Sequence, residues 1–297
     1  MSTLRELKGR IGSVASTEKI TGAMKMISSA KMHKAEGIVR RLSPYRDCIN
    51  TIIASLLSSE APVSSPLMLA REKVRTATVV VFGSDDGLCG AYNVNIFKGM
   101  LDTLARLRAD YGSDIAINVL TVGKKMAKAA RRIAEDDKSL TISSPQDIDS
   151  RSEGDDVKAF ARTLTDSFIA GHTDRVELVY MHYFSAGRQR LTTDGYLPIA
   201  PDSLDADAKH AKGHPCIFEP DAATIFATVL PMYLLSQLQE AFAQNRASEQ
   251  AARVMAMQSA NDNAHKLLDQ LQLEYNKLRQ QSITTELLDI VGGQARD

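Results

Sequence analysis

The densest set of chemistry-bearing side chains is GSDDGLCGAYNVN, residues 83–95, where three glycines, two adjacent carboxylates and a thiol follow a β-branched run. A glycine turn between strand and helix can cradle a phosphate on free backbone N–H groups. The spacing is G-x3-G-x2-G, which matches neither GxGxxG nor GxxxxGK[ST], and Asp85 and Asp86 would repel an anion. Two readings stand: a nucleotide turn, and a structural turn joining sheet to helix, which the spacing favours. The paired carboxylates pose the same choice, between a metal or acid/base pair and the commoner roles of capping a helix or facing water. Six histidines, among them His33, His172, His182 and His265, form no HxH or HExxH spacing. Cys48, Cys89 and Cys216 lack a CxxC pair and read as small packing residues in a reducing compartment. No nucleophile with a base, metal cage or cofactor fingerprint emerges, so the expectation is a chain without catalytic groups and without cofactors.

The elements that must carry these residues are of two kinds. Thr3 and Glu6 form a capping box, and from Leu4 the heptad steps Leu7, Ile11, Val14, Glu18, Thr21, Lys25, Ser28, Met32, Ala35, Val39, Leu42, Arg46, Ile49, Ile53 and Leu56 never slip phase. The seam turns polar from Glu18 to Ser28, which suggests that something other than one partner helix is met there. Pro44 predicts a kink or break near Ser43, and the Ser/Pro-rich run 58–66 ends the helix. More than fifty helical residues would extend roughly 80 Å. A second helical pattern occupies 222–290, with Pro231 early in it, Leu234, Leu235, Leu238 and Phe242 as an apolar patch, and Val254, Met257, Ala264, Leu268, Leu271, Tyr275 and Leu278 as a stripe. Gly292 and Gly293 are the expected stop. Methionines 24, 26, 32, 255 and 257 sit in these helices either as core or as an adaptable surface.

Between the helices, TATVVVFG, DIAINVLTVG and RVELVYMHYF read as three buried strands alternating with three helices, and 189–221 as loop or short hairpin. The expected architecture is α/β: a long antiparallel coiled coil of the N- and C-terminal helices plus a central open-sheet, Rossmann-like domain. The segments are 1–57 (N-terminal shaft helix), 58–74 (linker), 75–221 (globular foot) and 222–297 (C-terminal shaft helix). Formal charge is +0, so neither nucleic acid nor a membrane surface is indicated by the total. Residues 1–57 carry ten Lys/Arg against four Asp/Glu, and 222–297 six against eight, so the two ends differ in sign. The first ten residues lack a signal-peptide core, and no stretch approaches the ~18 apolar residues of a membrane span.

With both terminal helices in view, the sequence resembles the gamma subunits of F-type ATP synthases, the central-stalk rotors. The resemblance rests on ITGAMKMISSAKM (20–32), GSDDGLCGAYNVN (83–95), FEPDAATI (218–225), ASEQAARVMAMQSANDNA (247–264) and YNKLRQQSITTELLDIVGG (275–293). Asp86 stands where the family usually has a basic residue, and Gly22 where it often has lysine. The resemblance implies a non-catalytic shaft inside a hexamer of alpha and beta subunits, with the epsilon subunit and the ring of membrane c subunits at its foot. It would be peripheral, on the cytoplasmic face of a bacterial inner membrane. By motif, Met24 and Lys25 would lie near a beta-subunit lever, Arg253, Gln280 and Thr284 would meet a beta-subunit catch loop, and Phe218 and Glu219 would belong to the foot. The competing class is an α/β nucleotide-binding enzyme that uses its coiled coil for dimerisation.

Overall fold

Thr3 and Glu6 open the first helix reciprocally. The Thr3 N–H donates to Glu6 Oε2 at 2.9 Å, and the Glu6 N–H donates to Thr3 Oγ1 at 3.2 Å. The computed structural model describes residues 3–57, 64–135, 137, 139–200 and 218–294. The long helices are α1, Leu4–Leu57, and α5, Ala222–Gln294. Three shorter helices, α2 (Tyr92–Tyr111), α3 (Lys124–Ala134) and α4 (Asp155–Ile169), alternate with strands β1 (Thr76–Phe82), β2 (Ala116–Val122), β3 (Leu140–Ser143), β4 (Arg175–Ser185) and β5 (Arg188–Leu197). Cys216 and linker residues 58–63 lie outside the described residues. The chain forms two compact units, Met1–Ser29 with Arg253–Asp297, and Ala30–Ala252.

In the larger unit the sheet order is β3-β2-β1-β4-β5, parallel except for the final β4–β5 pair. β1 is buried from Ala77 to Phe82 because both faces are covered, as parallel sheets require. Val80 and Phe82 point into one core with Ile53 and Leu56 of α1, Phe160 and Leu164 of α4, and Leu230, Leu234 and Phe242 of α5. Val79 and Val81, one residue out of step, point to the other with Ile96 and Met100 of α2 and Met126 of α3. Two strands go beyond the three read from sequence. β3 is only four residues long, and β5 is a polar edge strand whose RQRLTTDGYL resembles a loop because one of its faces meets solvent.

In the smaller unit, α1 and α5 run antiparallel. The Asn261 amide donates to the Glu18 carbonyl at 2.7 Å and to Thr21 Oγ1 at 3.3 Å, and His265 Nδ1 lies 3.1 Å from Glu18 Oε1. The polar part of the α1 seam around Glu18 and Thr21 is therefore met by polar residues of α5. Not one of the sixteen heptad positions of α1 is exposed.

Neither proline interrupts its helix. Pro44 and Pro231 both lie on solvent-facing sides, where water can serve the carbonyl that each leaves unbonded, while buried Ile49 beyond one and Leu230, Tyr233 and Leu234 around the other hold the helices in place. Helix α5 also passes the glycine stop and runs to Gln294. Contrary to the sequence reading, a stretch of α5 with mean hydropathy 1.2 is long and apolar enough to cross a membrane by length and composition. Its apolar side chains are spent on the sheet core instead, where Phe226, Leu230, Leu234 and Leu238 are buried.

Candidate functional site

In open α/β sheets, ligands bind beyond the carboxyl ends of the strands at the point where strand order reverses. Here the reversal lies between β1 and β4, and the 83–95 turn follows β1 at that end. Polypeptide fills the crevice. Asn245 of α5, only 2% exposed, receives the Tyr92 hydroxyl on its side-chain oxygen at 2.6 Å and on its main-chain carbonyl at 3.0 Å. Its amide oxygen also lies 3.4 Å from the Met181 N–H, and its NH2 lies 3.4 Å from the Gly83 carbonyl. On either side, Gln244 accepts from the Tyr183 N–H at 3.0 Å and the Ser248 hydroxyl donates to the Met181 carbonyl at 3.0 Å. β4 runs past its pairing with β1 at this point, so α5 supplies hydrogen bonds that a neighbouring strand does not.

The turn itself is tied down from within. Ser84 N–H donates to Asn93 Oδ1 at 3.1 Å, and the Asn93 NH2 returns a bond to Ser84 Oγ at 2.7 Å. Gly83 is required by closeness, because a Cβ there would lie 2.6 Å from that of Met126, and Gly90 by its φ of +59°. Asp85 accepts from the Lys124 N–H at 3.0 Å, capping α3, and from the Ser150 hydroxyl at 2.7 Å and N–H at 3.2 Å. Partial burial pushes its carboxyl pKa up, but these hydrogen bonds, with Arg151, outweigh that and hold it below the ordinary value. Asp86 faces water and pairs with Arg151 at 2.8 Å. The carboxylate pair thus divides into a cap and a solvated ion pair, the structural alternatives raised by the sequence. Of the cysteines, Cys89 is buried at this turn, whereas Cys48 is exposed and is not the packing residue expected.

The smaller unit presents a different kind of site. Met26 is 69% exposed, Leu273 72% and Leu288 66%, and Ile20, Ile27, Met255, Ile283 and Leu287 are exposed as well. Large apolar side chains left bare on helices mark surfaces that another molecule covers. Gln280 and Thr284 lie among them, one turn apart and exposed, with the Thr284 hydroxyl donating to the Gln280 carbonyl at 2.9 Å. Met24 and Lys25 are half-buried on α1. Arg253 is 6% exposed and already engaged within the chain, so it is not a freely presented side chain. In the larger unit, Phe218 is half-buried against the sheet core and Glu219, beside it, is exposed.

A sequence model described as ATP synthase matches residues 3–295. The chain is 41% identical over 294 residues to the ATP synthase gamma chain of Bacteroides fragilis (strain YCH46), covering 99% of each. The chain belongs to the ATP synthase gamma family. Among solved structures, it superposes on a chain of the Euglena gracilis mitochondrial ATP synthase, OSCP/F1/c-ring, rotational state 3. That match has TM-score 0.66 and 19% identity, and covers 98% of this chain and 93% of the other. A second Euglena gracilis structure, of the rotor in rotational state 1, matches with TM-score 0.60 and 18% identity over 94% and 98%. These two matches show a shared fold.

The sequence reading missed Tyr92, Gln244, Asn245 and Ser248. Little in the sequence marks them, since QNRASEQ (244–250), with Gln239 and Glu240 before it, reads as an ordinary polar helix stretch.

Proposed function

We propose that this chain is the rotating central shaft of an ATP synthase, turned at its foot by the membrane ring of c subunits and working inside a hexamer of three alpha and three beta subunits. The observation that carries this reading is the bare apolar surface of the smaller unit in a chain that matches gamma chains end to end. Residues 1–57 and 222–297 act as the shaft, 58–74 as a linker, and 75–221 as the foot. Around the foot, Phe218 and Glu219 face the ring and the epsilon subunit. Along the shaft, Met24 and Lys25 meet the beta-subunit lever, and Gln280 and Thr284 meet the catch loop. Arg253 belongs to the same catch-loop contact. The complex is peripheral at this end, on the cytoplasmic face of the membrane.

A shaft can shift the open–closed balance of a catalytic site only by touching the two states unequally. Two dissimilar helices provide that inequality, since each rotational position presents a different mixture of bare leucine, amide and charge to a given beta subunit. The chain itself contributes no group to phosphoryl transfer, and its switch-point crevice is closed by Asn245, which leaves the competing nucleotide-enzyme reading without a pocket at the place where it needs one.

The test is made in membrane vesicles from cells lacking this chain. Proton-driven ATP synthesis should be absent, should return when the chain is restored, and the chain should co-purify with alpha and beta subunits at one copy per hexamer. Synthesis that persists without it, or purification apart from those subunits, would overturn the assignment.

A further inference from the structure

Within the larger unit, α1, α5 and the start of α4 line an open cavity of about 280 Å³ that is separate from the filled crevice. Its walls combine two chemistries. Leu42, Val157 and Phe242 give an apolar floor, and Lys34, Arg41 and Arg246 bring three cations to the lining. Among the described residues one carboxylate, Glu153, is in the lining, and it is engaged in an ion pair with Arg246. Arg246 is held further by the carbonyls of Ser150 and Ser152, both at 3.3 Å. Arg41 donates its Nε–H to the carbonyl of Gly37 at 3.3 Å, one helical turn back, and lines the cavity. The lining therefore carries a surplus of positive charge over a greasy base.

We infer that this cavity is a binding site for a small amphipathic carboxylate, a single acyl chain or single ring bearing one anionic head. The head would sit between Lys34 and Arg41 and the apolar body on Leu42, Val157 and Phe242. Ligand sites are of this kind, concave and mostly apolar with a few placed polar groups. Volume favours a small ligand, because the space of about 280 Å³ equals that of about nine water molecules. Charge sets the sign, since a neutral or cationic ligand of the same size would leave the cations unanswered. Because the site is built from α1, α4 and α5 together, an occupant ties the helix pair to the sheet domain and stabilises that unit by mass action. This site is independent of the contacts proposed for the shaft, and its test does not depend on rotation.

Octanoate is titrated calorimetrically into the purified full-length chain, with octanol and inorganic phosphate as controls. The expected result is one octanoate per chain, with octanol and phosphate each binding at least roughly tenfold more weakly, because each supplies only half of the recognition. Lys34→Gln with Arg41→Gln should weaken octanoate about tenfold, whereas Glu153→Gln, which frees Arg246, should tighten it by roughly threefold. The gain in the second variant cannot be produced by misfolding. Equal binding of octanol, undiminished octanoate binding by the double variant, or weaker binding by Glu153→Gln would each overturn the proposal.

Discussion

Removing one hydroxyl at the sheet crevice tests whether α5 is held to the sheet by hydrogen bonding or only by apolar contact. Tyr92 is 2% exposed and its hydroxyl meets both acceptors of Asn245, at 2.6 and 3.0 Å. Tyr92→Phe leaves the ring in place but strips the main-chain carbonyl of Asn245 of that donor and leaves its side-chain oxygen with only the Met181 N–H at 3.4 Å. Loss of a buried partner of this kind costs about 1–2 kcal/mol. Asn245→Ala removes the bonds to Met181 and Gly83 and opens a small void, but the Tyr92 hydroxyl keeps the residue-245 carbonyl, so the cost is about 2–3 kcal/mol. Because the two share one bond, the double variant should fall short of the sum by about 1 kcal/mol. Native-state hydrogen exchange at amides of β1 and β4 reads the larger unit alone, and each 1.4 kcal/mol appears there as about a tenfold loss of protection. If Tyr92→Phe is indistinguishable from the parent, or the two losses simply add, the crevice is not organised around this pair and the argument that α5 replaces a ligand there fails.

Gly99→Ala should destabilise the larger unit by about 1–2 kcal/mol despite better helix propensity, because the new Cβ would lie 2.3 Å from Leu191 Cδ2; thermal melting of Gly99→Ala with and without Leu191→Ala checks this, the second change restoring stability. Gly22→Ala has room, its Cβ reaching only the Asn261 amide nitrogen at 3.4 Å, so the smaller unit should gain up to about 1 kcal/mol, seen as stronger amide protection around residue 22. Asp85 has its folded pKa lowered, so it stabilises the fold above the ordinary carboxylate value, near pH 3.9, and that contribution is lost as pH falls through the depressed value; the gap in urea midpoint between the parent and Asp85→Asn should be present at pH 7 and close below about pH 4. Gln280→Ala changes an exposed side chain and should leave stability within about 0.5 kcal/mol while lowering proton-driven ATP synthesis in vesicles; unchanged synthesis would remove Gln280 from the proposed contact surface.

The parts of the fold governed by local rules could be read from the chain. The Thr3–Glu6 box, the unbroken heptad phase of α1 and the apolar run 79–82 of β1 each depend on neighbours within a turn or on burial of both faces, and the local pattern records those directly. β5 escaped because an edge strand alternates polar and apolar residues weakly, and its pairing with β4 is fixed by tertiary register. β3 escaped because four residues carry no period at all. Pro44 and Pro231 misled because a local rule predicts a break, whereas the outcome depends on which way the freed carbonyl faces. The candidate site was half legible. Its glycine turn is visible in sequence, but its filling is not, because Tyr92 and Asn245 are 153 residues apart and only the folded chain brings them together.

That filling has a consequence for how the machine is insulated. A diffusible occupant of the crevice would come and go with its supply, and the firmness of the attachment between foot and long helix would follow the metabolic state of the cell. A plug tethered by its own backbone cannot be diluted, starved or competed away at ordinary concentrations. At this crevice the shape of the drive train is set by the chain alone.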